Sequence, residues 1–326
     1  MKVVVLATSY PTPENQMAGS FVAASVDAAR RAGVDVDVVA PGTFPHFGVA
    51  LDAGIAQNLR AAPWKLALVP PFLTSFSLAA RRAARGADLV HAHWIPSALA
   101  ARVAGKPYVL QVWGTDVTLA HRAPRLVRPL VRGARVVVAA SSYLAEEARS
   151  LGARDVAIVP VPIEVTPSPD QPAEPPHVLF AGRLSEEKGI LEFMAATEGI
   201  PRVVVGDGPL RDRVPGAVGY VPPAELAQYF ARATVVCVPS RREGYGMTAR
   251  EALAHGRAVV ATRVGGLADL GGPGVTLVAP GDAAALRDAI ESALVSPVRP
   301  EPVGISPAEV GAALRDIYEA AGRNGG

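Results

Sequence analysis

The 326-residue chain predicts an α/β architecture of two doubly wound, Rossmann-like domains. Three observations carry that prediction. The length suits two cores at roughly 150 residues per domain. Short β-branched runs alternate with stretches rich in Ala, Leu, Glu and Arg along the whole chain, the pattern of strands and helices wound around a parallel sheet. Between 160 and 176 lie seven prolines: Pro160, Pro162, Pro167, Pro169, Pro172, Pro175 and Pro176. Each fixes φ and removes a backbone donor, so neither helix nor central strand persists there, and the domain junction falls in this segment.

Before the junction, strands are expected at 2–7, 34–40, 88–92, 107–112, 135–140 and 155–159. After it they are expected at 177–181, 202–206, 234–238, 258–262 and 275–278. These runs are apolar on consecutive positions, as in strands covered by helices on both faces. Helices are expected over 20–32, 95–105, 142–151 and 188–198. A last helix over 307–321 has Ser306 as N-cap, Pro307 at its first position and Glu309 completing a capping box. Which domain it packs on is open at this stage. The expected division is 1–165, 166–305 and a closing helix and tail over 306–326. Two such domains facing each other make a cleft at the carboxyl ends of their strands, where ligands bind.

Composition narrows the function. A hydrophobic fraction of 50% excludes a disordered chain. One cysteine, Cys237, excludes a disulfide framework and points to a reducing compartment, here the cytoplasm. The most apolar stretch, Leu66–Ala80, is fifteen residues long and interrupted by Pro70-Pro71, short of the ~20 residues that span a bilayer. A net charge of +2 does not call for nucleic acid. The charge is uneven, however: residues 1–165 carry 17 Lys/Arg against 11 Asp/Glu, and residues 166–326 carry 15 against 19. Arg81, Arg82, Arg85, Arg122, Arg125, Arg128, Arg132 and Arg135 supply much of the first excess. They read either as solvated helix faces or as a surface that meets anionic lipid or substrate, with weak peripheral binding at the inner membrane face as the expectation.

The segment Arg241-Arg242-Glu243-Gly244-Tyr245-Gly246-Met247-Thr248-Ala249-Arg250-Glu251 follows the expected strand at 234–238. Gly244 and Gly246 permit a tight turn. A helix then starts near Met247 and ends near Gly256, and its free amides at Met247 and Thr248 can bind a phosphate. Glu243 lies before that anion site and Glu251 one turn inside the helix. The bland alternative is a loop acid plus a helix-surface acid.

The run resembles the Glu-x₇-Glu motif of retaining glycosyltransferases of the GT-B fold, specifically glycosyltransferase family four (glycosyl transferases group one). A second block, Gly182-Arg183-Leu184-Ser185-Glu186-Glu187-Lys188-Gly189, is similar to the family's Gly-Arg-Leu and Lys-Gly, whose Arg and Lys bind the donor diphosphate. Paired cations suit a leaving nucleotide that gains negative charge; the alternative is a surface ion pair of Glu186 or Glu187 with these bases. Gly206-Asp207-Gly208-Pro209 resembles the family's Gly-Asp-Gly-Pro turn, and Gly265-Gly266-Leu267-Ala268-Asp269 its Gly-Gly-x-x-Glu, with Asp269 one methylene short. In the first half, Tyr10-Pro11 and Ala18-Gly19-Ser20-Phe21 resemble the loop after the first strand, and Asp88-Leu89-Val90-His91-Ala92-His93-Trp94 the Asp-x-x-His-x-His-Trp segment. His91 reads as a core residue; His93 reads as core or cleft-facing. Two departures stand out. Trp113-Gly114-Thr115-Asp116 replaces His-Gly-Ser/Thr-Asp, and Pro160-Val161-Pro162-Ile163-Glu164 replaces Pro-Asn-Gly-Val-Asp. The chain is also short between Gly208 and Gly219.

The resemblance implies retaining transfer of a hexosyl-type sugar from a UDP- or GDP-sugar to an acceptor (lipid, glycan or small molecule), by front-face displacement without metal or cofactor, within glycan biosynthesis. It implies Glu243, Arg183 and Lys188 as catalytic residues. Gly19, Gly182, Arg183, Lys188, Gly244, Gly246, Met247, Thr248 and Glu251 would bind the donor, with Glu251 on the ribose diol. His93, Trp113 and Asp116 are the acceptor-side or sugar-contacting candidates. Two rivals share the fold: a nucleotide-sugar epimerase, and a catalytically silent sugar-nucleotide binder motivated by Trp113 and the missing Asn-Gly. A Rossmann dehydrogenase is weaker, since no Gly-x-Gly-x-x-Gly follows the first strand.

Overall fold

The computed structural model describes residues 1–13, 15–50, 54–165 and 174–323; Pro167, Pro169 and Pro172 of the expected junction lie outside them. The chain divides into two compact units, Met1–Pro162 with Ser306–Gly326, and Ile163–Ile305.

The first unit runs β1 (Lys2–Leu6), α1 (Ser20–Arg31), β2 (Asp35–Val39), α2 (Ile55–Ala61), α3 (Val69–Ala83), β3 (Leu89–His93), α4 (Ile95–Ala104), β4 (Tyr108–Val112), α5 (Thr115–Ala120), α6 (Pro124–Gly133), β5 (Val137–Ala139), α7 (Ser142–Ser150) and β6 (Val156–Ile158). Its six strands are parallel in the order β2-β1-β3-β4-β5-β6. The second unit runs β7 (Val178–Ala181), α8 (Ile190–Ala196), β8 (Arg202–Val205), α9 (Pro223–Arg232), β9 (Val235–Val238), α10 (Met247–Ala254), β10 (Ala258–Thr262), β11 (Val275–Val278) and α11 (Ala283–Val295). Its five parallel strands lie in the order β11-β10-β9-β7-β8. A final helix, α12 (Pro307–Arg323), belongs to the first unit.

The consecutive apolar positions have the expected cause. On β7, Val178 and Phe180 enter one core layer with residues of α8 and α11, whereas Leu179 and Ala181 enter another with Phe230 of α9 and Ala249 and Ala252 of α10. Both faces of the strand are dry, so no polar alternation survives. Cys237 is buried in the first of these layers, and burial pushes its thiol pKa up, which makes it a packing residue.

Two local expectations change. The helix expected over 188–198 is a 3₁₀ turn at Glu186–Lys188 followed by α8. Gly189 separates them at φ +69, where a Cβ would lie 1.9 Å from the Pro239 carbonyl oxygen. The 66–80 stretch is divided just before its Pro70-Pro71 pair: a 3₁₀ turn over Pro63–Leu68 precedes α3, which the prolines open because its first turn needs no amide donors. The closing helix meets α1 tightly, since a Cβ on Gly311 would lie 2.2 Å from the Ala28 carbonyl oxygen. Ser306 Oγ accepts from the Glu309 amide at 3.4 Å at its start.

Candidate active site

In an open parallel sheet, ligands gather at the carboxyl edge where the strand order reverses. In the second unit that point lies between β7 and β9. The segment after β7 carries Gly182, Arg183 and Lys188. The segment after β9 carries Glu243, Gly244 and Gly246.

These two segments are bound together. Lys188 Nζ lies 2.7 Å from Glu243 Oε2, with the lysine 34% and the glutamate 14% exposed. The Arg241 amide donates to the Glu187 carbonyl at 2.9 Å. Glu187 pairs with Arg242 at 3.5 Å and Glu192 with Arg241, so the alternative pairing of Lys188 with Glu186 or Glu187 is not the one observed. Arg183, one residue past Gly182 on the segment after β7, is exposed.

The helix that follows is positioned by its glycines. Gly246 caps α10 in the left-handed region at φ +87. The Gly266 amide donates to the Glu243 carbonyl at 3.1 Å. Arg250, not singled out in the sequence, clamps this turn: it donates to the Tyr245 and Gly266 carbonyls at 3.3 Å each and lies 4.3 Å over the Tyr245 ring. Thr248 Oγ1 donates to the Ala181 carbonyl at the end of β7, at 3.2 Å. Met247 and Thr248 are half-buried in the first turn of α10. Glu251, one turn further, makes no side-chain hydrogen bond among the described residues, and burial pushes its pKa up to about 7. A carboxylate left without donors there is ready to accept them from a diol.

The Gly206–Gly208 turn packs under the same segment. A Cβ on Gly206 would lie 1.8 Å from the Gly182 carbonyl oxygen, and the Leu184 amide donates to the Asp207 carbonyl at 2.9 Å. Gly206 and Gly219 bridge directly, so the short segment between them holds one 3₁₀ turn, Arg211–Arg213.

In the first unit the reversal lies between β1 and β3. Gly19, at φ +64, is pressed onto the loop after β1: a Cβ would lie 2.3 Å from the Ser9 carbonyl oxygen. His91 and His93, at the end of β3, are buried at 1% and 0% exposure. His91 Nδ1 lies 2.8 Å from the Tyr318 hydroxyl of α12, and its Nε2 is buried without a partner among the described residues; its burial makes it a core histidine, as expected. Trp113 Nε1 donates to His93 Nδ1 at 3.3 Å, which leaves the His93 proton on Nε2. Burial lowers the pKa of both histidines, to about 3 for His91. Asp116 is buried and accepts from the amides of Ile95, Trp113 and Gly114 at 3.0 to 3.2 Å. Burial raises its pKa against the pull of those bonds. Of the three sugar-contacting candidates, then, His93 and Asp116 face inward, and only Trp113 is half-buried at the surface. It stands in an aromatic group with Phe21 (4.4 Å between ring centres) and Trp94 (6.4 Å).

Two family descriptions match in succession, "Glycosyltransferase Family 4" over residues 18–166 and "Glycosyl transferases group 1" over 175–296. The chain belongs to glycosyltransferase family 4. A similar protein is the putative teichuronic acid biosynthesis glycosyltransferase TuaC of Bacillus subtilis, 28% identical over 89% of this chain and 88% of its own length. The 2-deoxystreptamine N-acetyl-D-glucosaminyltransferase of Streptomyces fradiae is 30% identical over 65% of this chain and 64% of its own. Among solved structures, Anabaena HepE in complex with UDP and glucose aligns at TM-score 0.71 over 98% of this chain and all of its own, at 17% identity. The sucrose-phosphate synthase of Thermosynechococcus elongatus aligns at 0.70 over 99% of this chain and 97% of its own, at 21% identity. The fold is therefore GT-B, and the activity is that of a glycosyltransferase.

Proposed function

We propose that this glycosyltransferase binds a UDP- or GDP-sugar at the carboxyl edge of the second unit and transfers the sugar with retention of configuration. The observation that carries the reading is the Lys188–Glu243 contact at the strand-order reversal. It puts a cation suited to a diphosphate beside a carboxylate suited to a sugar. Lys188 and Arg183 hold the diphosphate, with the amides of Met247 and Thr248 at the start of α10. Glu251 accepts from the ribose diol, and Glu243 holds the sugar near its reacting carbon.

In front-face displacement the bond from the anomeric carbon to the diphosphate breaks while the acceptor oxygen approaches on the same face. The departing phosphate oxygen takes the acceptor's proton, so no side-chain base is required. The charge that develops on the leaving group is met by protein cations, and the reaction runs without a metal. TuaC's role in teichuronic acid biosynthesis supports a glycan acceptor. Exposed Arg81, Arg82, Arg125, Arg128 and Arg132 on α3 and α6, with exposed Leu78 and Leu126 among them, support weak docking to an anionic bilayer.

A thermal-shift panel of nucleotides and nucleotide sugars tests the reading, because a ligand of the native state raises the melting temperature. UDP or GDP, and one of their sugars, should stabilise the chain. With the donor and acceptor so found, NMR of the product should show the donor's anomeric configuration; an inverted product would refute front-face transfer.

A further inference from the structure

Glu243 is held from two sides, and one of its two holders has work elsewhere. Its Oε2 accepts from Lys188 Nζ at 2.7 Å and from Ser240 Oγ at 3.3 Å. Lys188 is a flexible point charge that a diphosphate attracts more strongly than one carboxylate does. When the lysine turns to the phosphate, Glu243 loses its cation.

Ser240 cannot follow. It is 1% exposed, two residues beyond the end of β9. Its carbonyl accepts from Thr262 Oγ1 at the end of β10, and Thr262 is 2% exposed. The preceding carbonyl, of Pro239, lies against Gly189, where no side chain fits. The Ser240 backbone is thus fixed by two neighbouring elements, and its hydroxyl stays aimed at Glu243.

We propose that Ser240 is a positioning residue. Its hydroxyl keeps the Glu243 carboxylate in place while the donor diphosphate draws Lys188 away. Of the two contacts to Glu243, the Lys188 ion pair is then the one that yields to a diphosphate, and the Ser240 bond is the one that remains. The inference rests on the assignment of Lys188 to the diphosphate. It has a consequence of unusual sign: Glu243 competes with the nucleotide for Lys188, so removing its charge strengthens nucleotide binding while it damages turnover.

The test is calorimetric titration of the intact chain with UDP, and with GDP in parallel, alongside turnover of the nucleotide sugar that the panel selects. Glu243→Gln should bind the nucleotide about twofold to fivefold more tightly than wild type, the range for releasing a partly exposed ion pair. Ser240→Ala keeps the backbone carbonyl that Thr262 uses. It should bind the nucleotide within about twofold of wild type, hold its donor KM, and lose about tenfold in kcat, the weight of one charge-assisted bond. Ser240→Thr, which restores a hydroxyl, should recover most of that loss. A general disturbance of the fold would lower nucleotide affinity as well. If Lys188→Ala binds the nucleotide as wild type does, the assignment of Lys188 falls and the inference with it. If Lys188→Ala loses binding but Glu243→Gln gains none, the assignment stands and the competition is refuted. A Ser240→Ala enzyme with wild-type kcat, or a loss that Ser240→Thr leaves unrepaired, refutes the positioning role.

Discussion

The two units share one architecture and carry opposite chemistry at the same edge. In the second, the strand ends present Arg183, Lys188, Glu243 and Glu251, with an ion pair of 2.7 Å at the reversal point. In the first, they present imidazoles with lowered pKa, an aspartate spent on three backbone amides, and an aromatic group. The wound sheet dictates where side chains converge and leaves their charge free. One edge carries paired charges, and the other offers shape and inward-turned polar groups.

The largest effects should come from the charged edge. Lys188→Ala and Arg183→Ala each remove charge-assisted bonds of ~1.5–3 kcal/mol, or roughly 10- to 150-fold in kcat/KM with the selected donor. Wild-type kinetics in both would remove the distinction between the units.

On the neutral edge, substitutions should act through packing. Trp113→Phe leaves His93 Nδ1 buried without its donor, an expected loss of ~1–3 kcal/mol in unfolding free energy. Trp113→Ala should cost more, because it also opens a cavity. Denaturant melts check both, and an unchanged Trp113→Phe would show that the indole N–H is not bound inside.

Acidification should separate the units further. His91 titrates near 3 when folded and 6.5 when unfolded, so between those values the unfolded state binds more protons. Its contribution is complete above pH 6.5 and falls as pH drops, by about 1.4 kcal/mol per pH unit; His93 acts in the same direction. Glu251 does the reverse, since its folded value near 7 exceeds its ordinary 4.5, and its contribution falls as pH rises between them. All three tryptophans, Trp64, Trp94 and Trp113, lie in the first unit. The melting temperature followed by their fluorescence should therefore drop from pH 7 to pH 5, and a rise would contradict the burial of the histidine pair.

Much of this was legible in the sequence. Strands buried on both faces betray themselves as consecutive β-branched residues, as in Val3-Val4-Val5 and Val235-Val236-Cys237-Val238. Glycines at Gly189 and Gly246 mark positions where backbone meets backbone or the left-handed region is needed. What was not legible depends on contacts distant in sequence. Tyr318 reaches His91 across 227 positions, and nothing local assigns α12 to the first unit. Ser240, Thr262 and Arg250 are unremarkable residue types whose roles come from neighbouring strand ends. Trp113 is an acceptor-side or sugar-contacting candidate from sequence, and only the fold shows its N–H turned to His93.

The smallest effect concerns the outer surface of the first unit. Cosedimentation with anionic vesicles should be weak and should decline with added salt, because exposed arginines are screened within about 8 Å at physiological ionic strength. No binding at low salt would favour an acceptor in solution.

The contrast between the two edges is tested most directly by nucleotide affinity across three proteins. UDP and GDP should be titrated calorimetrically into wild type, Lys188→Ala and Trp113→Phe. The account predicts measurable binding of one nucleotide to wild type, a loss of about tenfold or more in Lys188→Ala, and a change within about twofold in Trp113→Phe. Equal losses in both variants, or full affinity in Lys188→Ala, would contradict it.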